Sequence, residues 1–272
     1  MGRLRSVLGL PFMKALLDTF EKAALLAGQT IMDVYRAGPN TSYKIDHSPV
    51  TEADERAEAI ILAELQRHCP EIPVVAEESV AAGRIPDISG RSFILVDPLD
   101  GTKEFVNRRE DFTVNIALIE DGFPVLGAVY APALSVAYLG GSGEASKLVI
   151  DDHFRVTSRQ TIAARPARTP PVAVASRSHN STETEDFLQK SGVCDIQCIG
   201  SSLKFCLLAE GIADLYPRFS RTMEWDTAAG DAVLRAAGGL TTDIHGVPLR
   251  YGKIGPYGAI DFVNPDFISR GR

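Results

Sequence analysis

The chain has 272 residues, 45% of them hydrophobic and 23% charged, and its formal net charge at pH 7 is -7. This length and composition suit a globular protein with a large core, in one compact unit or two subdomains. The acidic balance excludes a sequence-wide basic surface for nucleic acid polymers, and no stretch approaches the roughly 20 apolar residues of a membrane span.

Two helices are predicted in the first quarter of the chain. Apolar residues recur at spacings of three and four over 14–36, which predicts an amphipathic helix, and residues 1–12 before it are expected to form a flexible extension. A second helix is predicted over 51–68. Its start, "TEAD" from Thr51, is a capping box with Asp54 at the third helical position, which gives this acid a structural role.

Acidic residues stand where two apolar strands are predicted to end. The segment "IPVVAEES" predicts a short buried strand that ends in Glu77 and Glu78. In "FILVDPLDGTKEFVNRREDFTVNIALIEDG", residues 93–122, an apolar run leads to Asp97 and Asp100. Two carboxylates at a buried strand end can share a cation but can hardly sit unpaired. The alternative is a tight turn, because Asp-Pro and Asp-Gly are ordinary turn dipeptides.

The rest of the chain changes from hairpins to alternating strands and helices. Residues 112–119 and 124–130 flank the turn signal "EDGF" and predict an antiparallel hairpin, with "SVAYLG" as the next strand. The segment "RQTIAARPARTPP" is predicted to be a linker. Beyond it, three strands ("VAVAS", "CDIQCIG", "ADLYP") alternate with three helices (181–190, "SLKFCLLAEG", "DTAAGDAVLRAAGG"). Two sheets with helices between and around them follow from this order, with subdomains over 13–150 and 151–272.

The cysteines indicate a reducing compartment. The chain has four cysteines, Cys69, Cys194, Cys198 and Cys206. No two of them form a CxxC pair, and three of the four lie among apolar neighbours in the sequence. Free thiols in such surroundings commonly pack as small hydrophobic groups, so no zinc site is expected.

A further acid, Asp226 in "EWDTAAG", opens a predicted helix and has a structural alternative as its N-cap. Each acid taken alone suits a structural role. Strand ends and helix starts converge at one edge of a layered fold, however, and an oxygen-rich edge suits Mg²⁺, which is held by a few carboxylates, waters and phosphate oxygens. Two such ions activate a water and stabilise a leaving oxygen. The set therefore predicts a phosphatase site.

Three blocks, "AEES", "DPLDGTKEF" and "WDTAAGDAVLRAAGG", resemble the signature of the inositol monophosphatase superfamily of Mg²⁺-dependent, lithium-sensitive phosphatases. Within the second block, "DGTKEF" is similar to its bacterial 3'(2'),5'-bisphosphate nucleotidase branch, and so are three further segments, "SRSH", "GSSLKFCLLAEG" and "LYPRF". The resemblance extends from residue 13 to the C-terminus. It implies an α+β or α/β fold, a layered α-β-α-β-α sandwich.

The resemblance also implies the residues of the site. The implied metal ligands are Glu77, Asp97, the main-chain carbonyl of Leu99, Asp100 and Asp226, with Asp97 shared by two Mg²⁺ ions. Thr102 and Asp54 would orient the attacking water, and Glu77 would help to activate it. Four carboxylates and two Mg²⁺ ions neutralise one another, so a phosphate needs further positive potential. A third metal ion near Asp54, or free N–H groups at Gly101 and Thr102, would supply it.

The branch further implies contacts to a nucleotide. The expected substrate-binding residues are Gly101, Thr102, His179, Ser201, Lys204, Arg218 and Asp226. Three of them have ordinary alternatives: Lys204 as a solvated surface lysine, Arg218 as a side chain that extends from an apolar edge to water, and His179 as a residue that bonds its own loop.

The leading functional hypothesis is removal of the 3'-phosphate of adenosine 3',5'-bisphosphate, which clears a by-product of sulfate assimilation. The alternatives are an inositol or broad sugar phosphatase on the same metal site, and a catalytically silent nucleotide sensor. The partner is thus a small phosphorylated nucleotide. The protein is expected in the cytoplasm, free or peripheral on the inner membrane face, and as a monomer or homodimer.

Overall fold

The computed structural model describes residues 9–38, 41–43, 49–177, 181–253 and 261–272. The helices, in chain order, are α1 Leu10–Ala37, α2 Glu52–His68, α3 Glu77–Ala81, α4 Thr102–Val106, α5 Thr182–Lys190, α6 Leu203–Ala209 and α7 Glu224–Ala236. Among the described residues, no helix is both long enough and apolar enough to cross a bilayer.

The strands form a two-stranded, a seven-stranded and a five-stranded sheet. In chain order they are β1 Thr41–Tyr43, β2 Pro49–Thr51, β3 Val74–Ala76, β4 Ser92–Asp100, β5 Thr113–Glu120, β6 Phe123–Ala131, β7 Val136–Gly141, β8 Glu144–Ile150, β9 Val156–Ile162, β10 Val172–Ser176, β11 Asp195–Ile199, β12 Leu215–Arg218, β13 Leu240–Asp243 and β14 Phe267–Arg270. The seven-stranded sheet runs from β3 to β9 in chain order, and only its β3–β4 pair is parallel.

The five-stranded sheet has the order β11-β10-β12-β14-β13. Its strands β10, β11 and β12 are mutually parallel, so their C-terminal ends meet at one edge. Chain segments that follow these three ends, near Arg177, Gly200 and Arg218, are thereby brought together.

Burial defines five layers. One apolar cluster joins α1 and α2 to one face of the seven-stranded sheet. A second cluster lies between the two sheets and contains α6 and α7, and a third joins α5 to the outer face of the five-stranded sheet. The expected α-β-α-β-α sandwich is confirmed.

Several element predictions are confirmed and others are corrected. Both N-terminal helices, the β5–β6 hairpin and the alternating elements of the second half occur as predicted, although α1 already starts at Leu10 and residues 1–8 lie outside the described part. The predicted linker "RQTIAARPARTPP" is wrong over its first residues, because β9 pairs with β8 as far as Ile162. Strands β8, β13 and β14 were not predicted. The subdomain boundary at 150 stays a prediction, although β9, which lies beyond it, belongs to the seven-stranded sheet.

Candidate active site

The end of β4 carries the first two acids of the site. Register with β5 shifts between Asp97 and Asp100, so β4 has one extra residue there. Such a bulge re-aims side chains at a strand end. Gly101 follows with φ +91°, a conformation that favours glycine, and an added Cβ would lie 3.3 Å from the main chain at Phe112. The chain then turns directly into α4 at Thr102.

Asp54 has two roles, one for each carboxylate oxygen. Its Oδ2 accepts hydrogen bonds from the main-chain N–H and the hydroxyl of Thr51, both at 2.8 Å, which is the predicted capping box. Its Oδ1 lies 3.1 Å from the Thr102 hydroxyl, which also lies 3.2 Å from the Leu99 carbonyl oxygen. The cap therefore fixes one oxygen and leaves the other to orient Thr102. The structural and functional interpretations of Asp54 are compatible.

Glu77 is the first residue of α3, immediately after β3. The start of this short helix is held by Glu58 of α2, whose Oε2 accepts from the Glu78 main-chain N–H at 2.8 Å and whose Oε1 accepts from the Ser79 hydroxyl at 2.7 Å. Glu58 is buried. Sequence reasoning missed it, although its position four residues after Asp54 places both acids on one helix face.

Asp226 is the third residue of α7 and not its N-cap, because the helix starts at Glu224. Its Oδ2 accepts from the Met223 main-chain N–H at 2.8 Å, and its carbonyl oxygen accepts from the Ser202 hydroxyl at 2.6 Å. The buried amide of Asn264 holds the same turn by donating to the Met223 carbonyl at 2.7 Å. The helix start that carries Asp226 is thus fixed by two neighbouring segments.

An open cleft of about 240 Å³ joins these elements between the two sheets. Residues predicted for the metal and for the substrate share its walls: Glu77, Asp100, Gly101, Thr102, Ser201, Lys204, Arg218 and Asp226. Three other predicted site residues, Asp54, Asp97 and Leu99, are almost fully buried and do not line it. His179 lies outside the described residues. The structure therefore brings most of the predicted set to one place.

The acids in and beside the cleft disfavour one another's ionised form. Burial raises the pKa of Asp97 well above its usual value, and the carboxylates of Glu77 and Asp100 raise it further. Burial likewise raises the pKa of Asp226, with the Asp100 and Glu77 charges adding to it. For Asp100, burial raises the pKa to about 6, against the opposing effect of the Lys204 charge. Such a group favours a bound cation.

The fit to Mg²⁺ rests on donor chemistry. In the described part of the chain, no three or more His, Cys, Asp or Glu side chains form a ready-made metal site. The predicted ligands are nevertheless all carboxylate or carbonyl oxygens, the hard ligands that Mg²⁺ prefers, and Mg²⁺ usually adds waters and phosphate oxygens instead of requiring a closed protein cage. The residues present suit this ion.

Lys204 is buried, so its interpretation as a solvated surface lysine is wrong. Its Nζ donates to the carbonyls of Ser201 at 2.7 Å and Ile199 at 3.2 Å and lies 5.3 Å from the centre of the Tyr216 ring. Burial lowers its pKa to about 8. Two of its three N–H donors thus hold the loop before α6, which leaves at most one for a ligand.

Two residues that line the cleft have a buried polar atom without a protein partner within the described ranges: Nε of Arg218 and Oγ of Ser201. Arg218 is 8% exposed, and its Nη2 lies 3.4 Å from the Arg221 carbonyl. Buried polar groups normally have partners, so these two atoms are exceptions, and both belong to the cleft-lining residues. An arginine and a hydroxyl suit phosphate oxygens.

The chain is similar to known proteins over most of its length. Residues 13–261 match the inositol monophosphatase family. A 3'(2'),5'-bisphosphate nucleotidase CysQ of Salmonella typhimurium is 48% identical over 243 residues, 89% of this chain and 94% of that protein. The protein of the same name from Escherichia coli K12 is 45% identical over 254 residues, 93% of this chain and 98% of that one. The crystal structure of CysQ from Bacteroides thetaiotaomicron superposes with a TM-score of 0.78 at 37% identity and covers 97% of this chain and 99% of that one.

Proposed function

The chain belongs to the inositol monophosphatase family, and from this premise we propose that it is a Mg²⁺-dependent phosphatase that converts adenosine 3',5'-bisphosphate to AMP and phosphate. Members of this family depend on metal ions, generally Mg²⁺. The observation that carries the proposal is the cleft that Glu77, Asp100 and Asp226 line together with Ser201 and Arg218, two residues with a buried polar atom that has no protein partner in the described chain. A metal-assisted reaction centre and an anion-binding wall are thus adjacent.

The metal ligands of the proposal are Glu77, Asp97, the Leu99 carbonyl, Asp100 and Asp226. When bound there, Mg²⁺ lowers the pKa of a water molecule and stabilises the charge on the leaving oxygen. Two ions are the proposed number, and a third near Asp54 would help to balance the charge of the phosphate.

Thr102 and Asp54 orient the attacking water. The Thr102 hydroxyl proton is directed to Asp54 Oδ1, 3.1 Å away, so the Thr102 oxygen is left to accept a hydrogen bond from the water. Glu77, at the wall of the cleft, helps to remove a proton from this water as it attacks the phosphorus. Gly101 and the start of α4 present main-chain N–H groups to the reacting phosphate.

The nucleotide is held on the opposite wall. Arg218 and Ser201 bind phosphate or ribose oxygens with the donors that the protein leaves unpaired. Lys204 adds positive charge and braces the loop of Ser201. His179 remains a proposed contact by resemblance. The protein would act in sulfur metabolism as the step that clears this bisphosphate.

The competing function is an inositol or broad sugar phosphatase on the same metal site. We expect kcat/KM for adenosine 3',5'-bisphosphate to exceed that for inositol 1-phosphate by at least about 100-fold in Mg²⁺, since two or more charge-assisted contacts to the nucleotide have no counterpart in the smaller substrate. Equal values would favour the broad phosphatase. Release of no phosphate from either would favour the silent nucleotide sensor.

A further inference from the structure

The end of β11 and the loop that leads to α6, residues 198–202, are fixed by side chains from both halves of the molecule. Arg177 Nη2 donates to the Cys198 carbonyl at 2.9 Å, and Lys204 binds the carbonyls of residues 199 and 201. From the other half, Asp100 Oδ2 accepts from the Ser202 main-chain N–H at 2.7 Å. The fourth side chain that anchors this segment, Asp111, has no role in the proposed reaction.

Asp111 precedes β5 and is buried, with 7% of its surface exposed. Its Oδ2 accepts from the Gly200 main-chain N–H at 2.6 Å and from Arg177 Nη1 at 2.7 Å. This one oxygen therefore joins the segment before β5 to the ends of both β10 and β11. A carboxylate that accepts an arginine and a main-chain N–H makes strong, directional bonds.

Gly200 shows how closely the two halves approach at this point. A Cβ added to Gly200 would lie 2.5 Å from the Asp111 carbonyl oxygen, so this position admits no side chain. The next residue, Ser201, has φ +53°, an uncommon left-handed conformation for a residue with a side chain. Ser201 lines the cleft, and its hydroxyl oxygen is buried without a protein partner in the described chain. The anchors thus hold Ser201, in an uncommon conformation, at the wall of the cleft.

We propose that Asp111 is a positioning residue for substrate specificity: with Arg177, it holds the loop of Gly200 and Ser201 in the conformation that binds the non-reacting part of a phosphorylated nucleotide. This inference rests on the proposed function. Asp111 is neither one of the residues that line the cleft nor one of the proposed metal ligands. Asp111 acts by ordering the loop before the ligand binds. Less binding free energy is then lost to ordering the loop, so the ligand binds more tightly.

Asp111→Ala tests the proposal by comparing two substrates. We expect KM for adenosine 3',5'-bisphosphate to rise about 10-fold or more with kcat within about 2-fold, since a charge-assisted hydrogen bond is lost and the loop is released. The loss in kcat/KM should be about 10-fold smaller for a monophosphate without a nucleoside, such as inositol 1-phosphate. Asp111→Asn keeps an acceptor for the Gly200 N–H and should lose less.

Asp214 provides a matched control. It is also buried and also accepts from an arginine and a main-chain N–H, Arg165 Nε and Val172 N, both at 2.8 Å. It lies at the opposite end of β10, away from the cleft. We expect Asp214→Asn to lower Tm and leave the ratio of the two kcat/KM values unchanged. If Asp111→Ala does not fold, the two kcat/KM values are compared in Asp111→Asn and Arg177→Ala instead.

Three results would overturn the proposal: an equal loss on both substrates, a loss confined to kcat, or no loss on either. If the parent releases no phosphate from the bisphosphate, the proposed function is wrong, and calorimetric binding of AMP then tests the loop alone. An AMP affinity about 10-fold weaker in Asp111→Ala than in the parent upholds the positioning role. An unchanged affinity, or no AMP binding by the parent, overturns it.

Discussion

At the scale of single residues, burial decides which acids are exceptional. Asp97 is 1% exposed and lies among the charges of Glu77, Asp100 and Asp226, whereas an ordinary turn aspartate is solvated. Its Oδ1 accepts a hydrogen bond from the Leu99 main-chain N–H at 3.0 Å. A buried carboxylate with so little compensation is costly to the fold, and a bound cation would offset this cost.

Asp97→Asn separates activity from stability. The amide removes a buried negative charge but keeps an oxygen acceptor for the Leu99 N–H. We expect turnover in saturating Mg²⁺ to fall by several orders of magnitude, because the shared metal ligand loses its charge, while Tm without divalent cations stays level or rises. Phosphate release and thermal unfolding measure the two effects. Parental turnover would contradict the assignment of Asp97 to two ions.

The sequence predicted the capping box of Asp54 because that motif is local. The place of Asp54 beside an attacking water stays a prediction from the resemblance, and the structure shows Oδ2 in the cap and Oδ1 3.1 Å from the Thr102 hydroxyl. Lys204 could not be recognised as buried, because its partners are carbonyls of a loop whose path depends on packing. Asp111 and Glu58 carry no motif, and their partners lie 89 and about 20 residues away.

At the scale of elements, the link between α2 and α3 positions Glu77. Glu58 supplies two acceptors to the first turn of α3, a helix of only five residues. Short helices have little stability of their own, so this link must fix the direction of Glu77. The same helix, α2, also carries Asp54. One helix face therefore orders two parts of the proposed reaction centre.

Glu58→Ala should weaken metal binding more than substrate binding. Loss of both acceptors frees the start of α3, so we expect the Mg²⁺ concentration for half-maximal activity to rise about 10-fold. The Mg²⁺ requirement of Glu58→Gln should lie between those of the parent and of Glu58→Ala, because glutamine keeps one carbonyl oxygen as an acceptor. The increase of Tm with added Mg²⁺ should shrink in parallel. Glu55→Ala, on the exposed side of α2, is the control. An unchanged Mg²⁺ requirement in Glu58→Ala would contradict this role.

Elements with strong periodicity were predictable from the sequence, and several polar or short ones were not. The helices α1 and α2 follow from their apolar spacing. Strand β9 is a polar, mostly exposed edge strand, so its sequence has no alternating pattern to detect. Strands β13 and β14 have four residues each and depend on pairing with each other. Tertiary context determines such strands.

At the scale of the whole molecule, the layered fold makes one cleft from two sheets. The seven-stranded sheet contributes the acids at the end of β4, and the parallel ends of β10, β11 and β12 contribute the loop of Ser201 and Arg218. Bonds such as Ser202 N–H to Asp100 Oδ2 span 102 residues of sequence. The resemblance to a known family could predict the layers. The long-range hydrogen bonds between the layers could not be inferred from a local sequence pattern.

Lithium tests whether the whole site works as its family resemblance implies. We expect Li⁺ to inhibit phosphate release from the bisphosphate, because a small monovalent cation fits an oxygen site suited to Mg²⁺ but carries half the charge. Initial rates at fixed Mg²⁺ with increasing LiCl measure the effect, and KCl at equal ionic strength is the control. Full activity at high LiCl would count against the shared mechanism, though not against phosphatase activity.

The most direct test of the proposed reaction identifies its products. The protein is incubated with adenosine 3',5'-bisphosphate and Mg²⁺ in ¹⁸O-labelled water, and both products are analysed by mass spectrometry. We predict 5'-AMP without label and inorganic phosphate with one ¹⁸O atom, because water attacks the 3'-phosphorus and the ribose oxygen leaves. Formation of 3'-AMP, label in the nucleotide, or equal product without divalent cations would contradict the account.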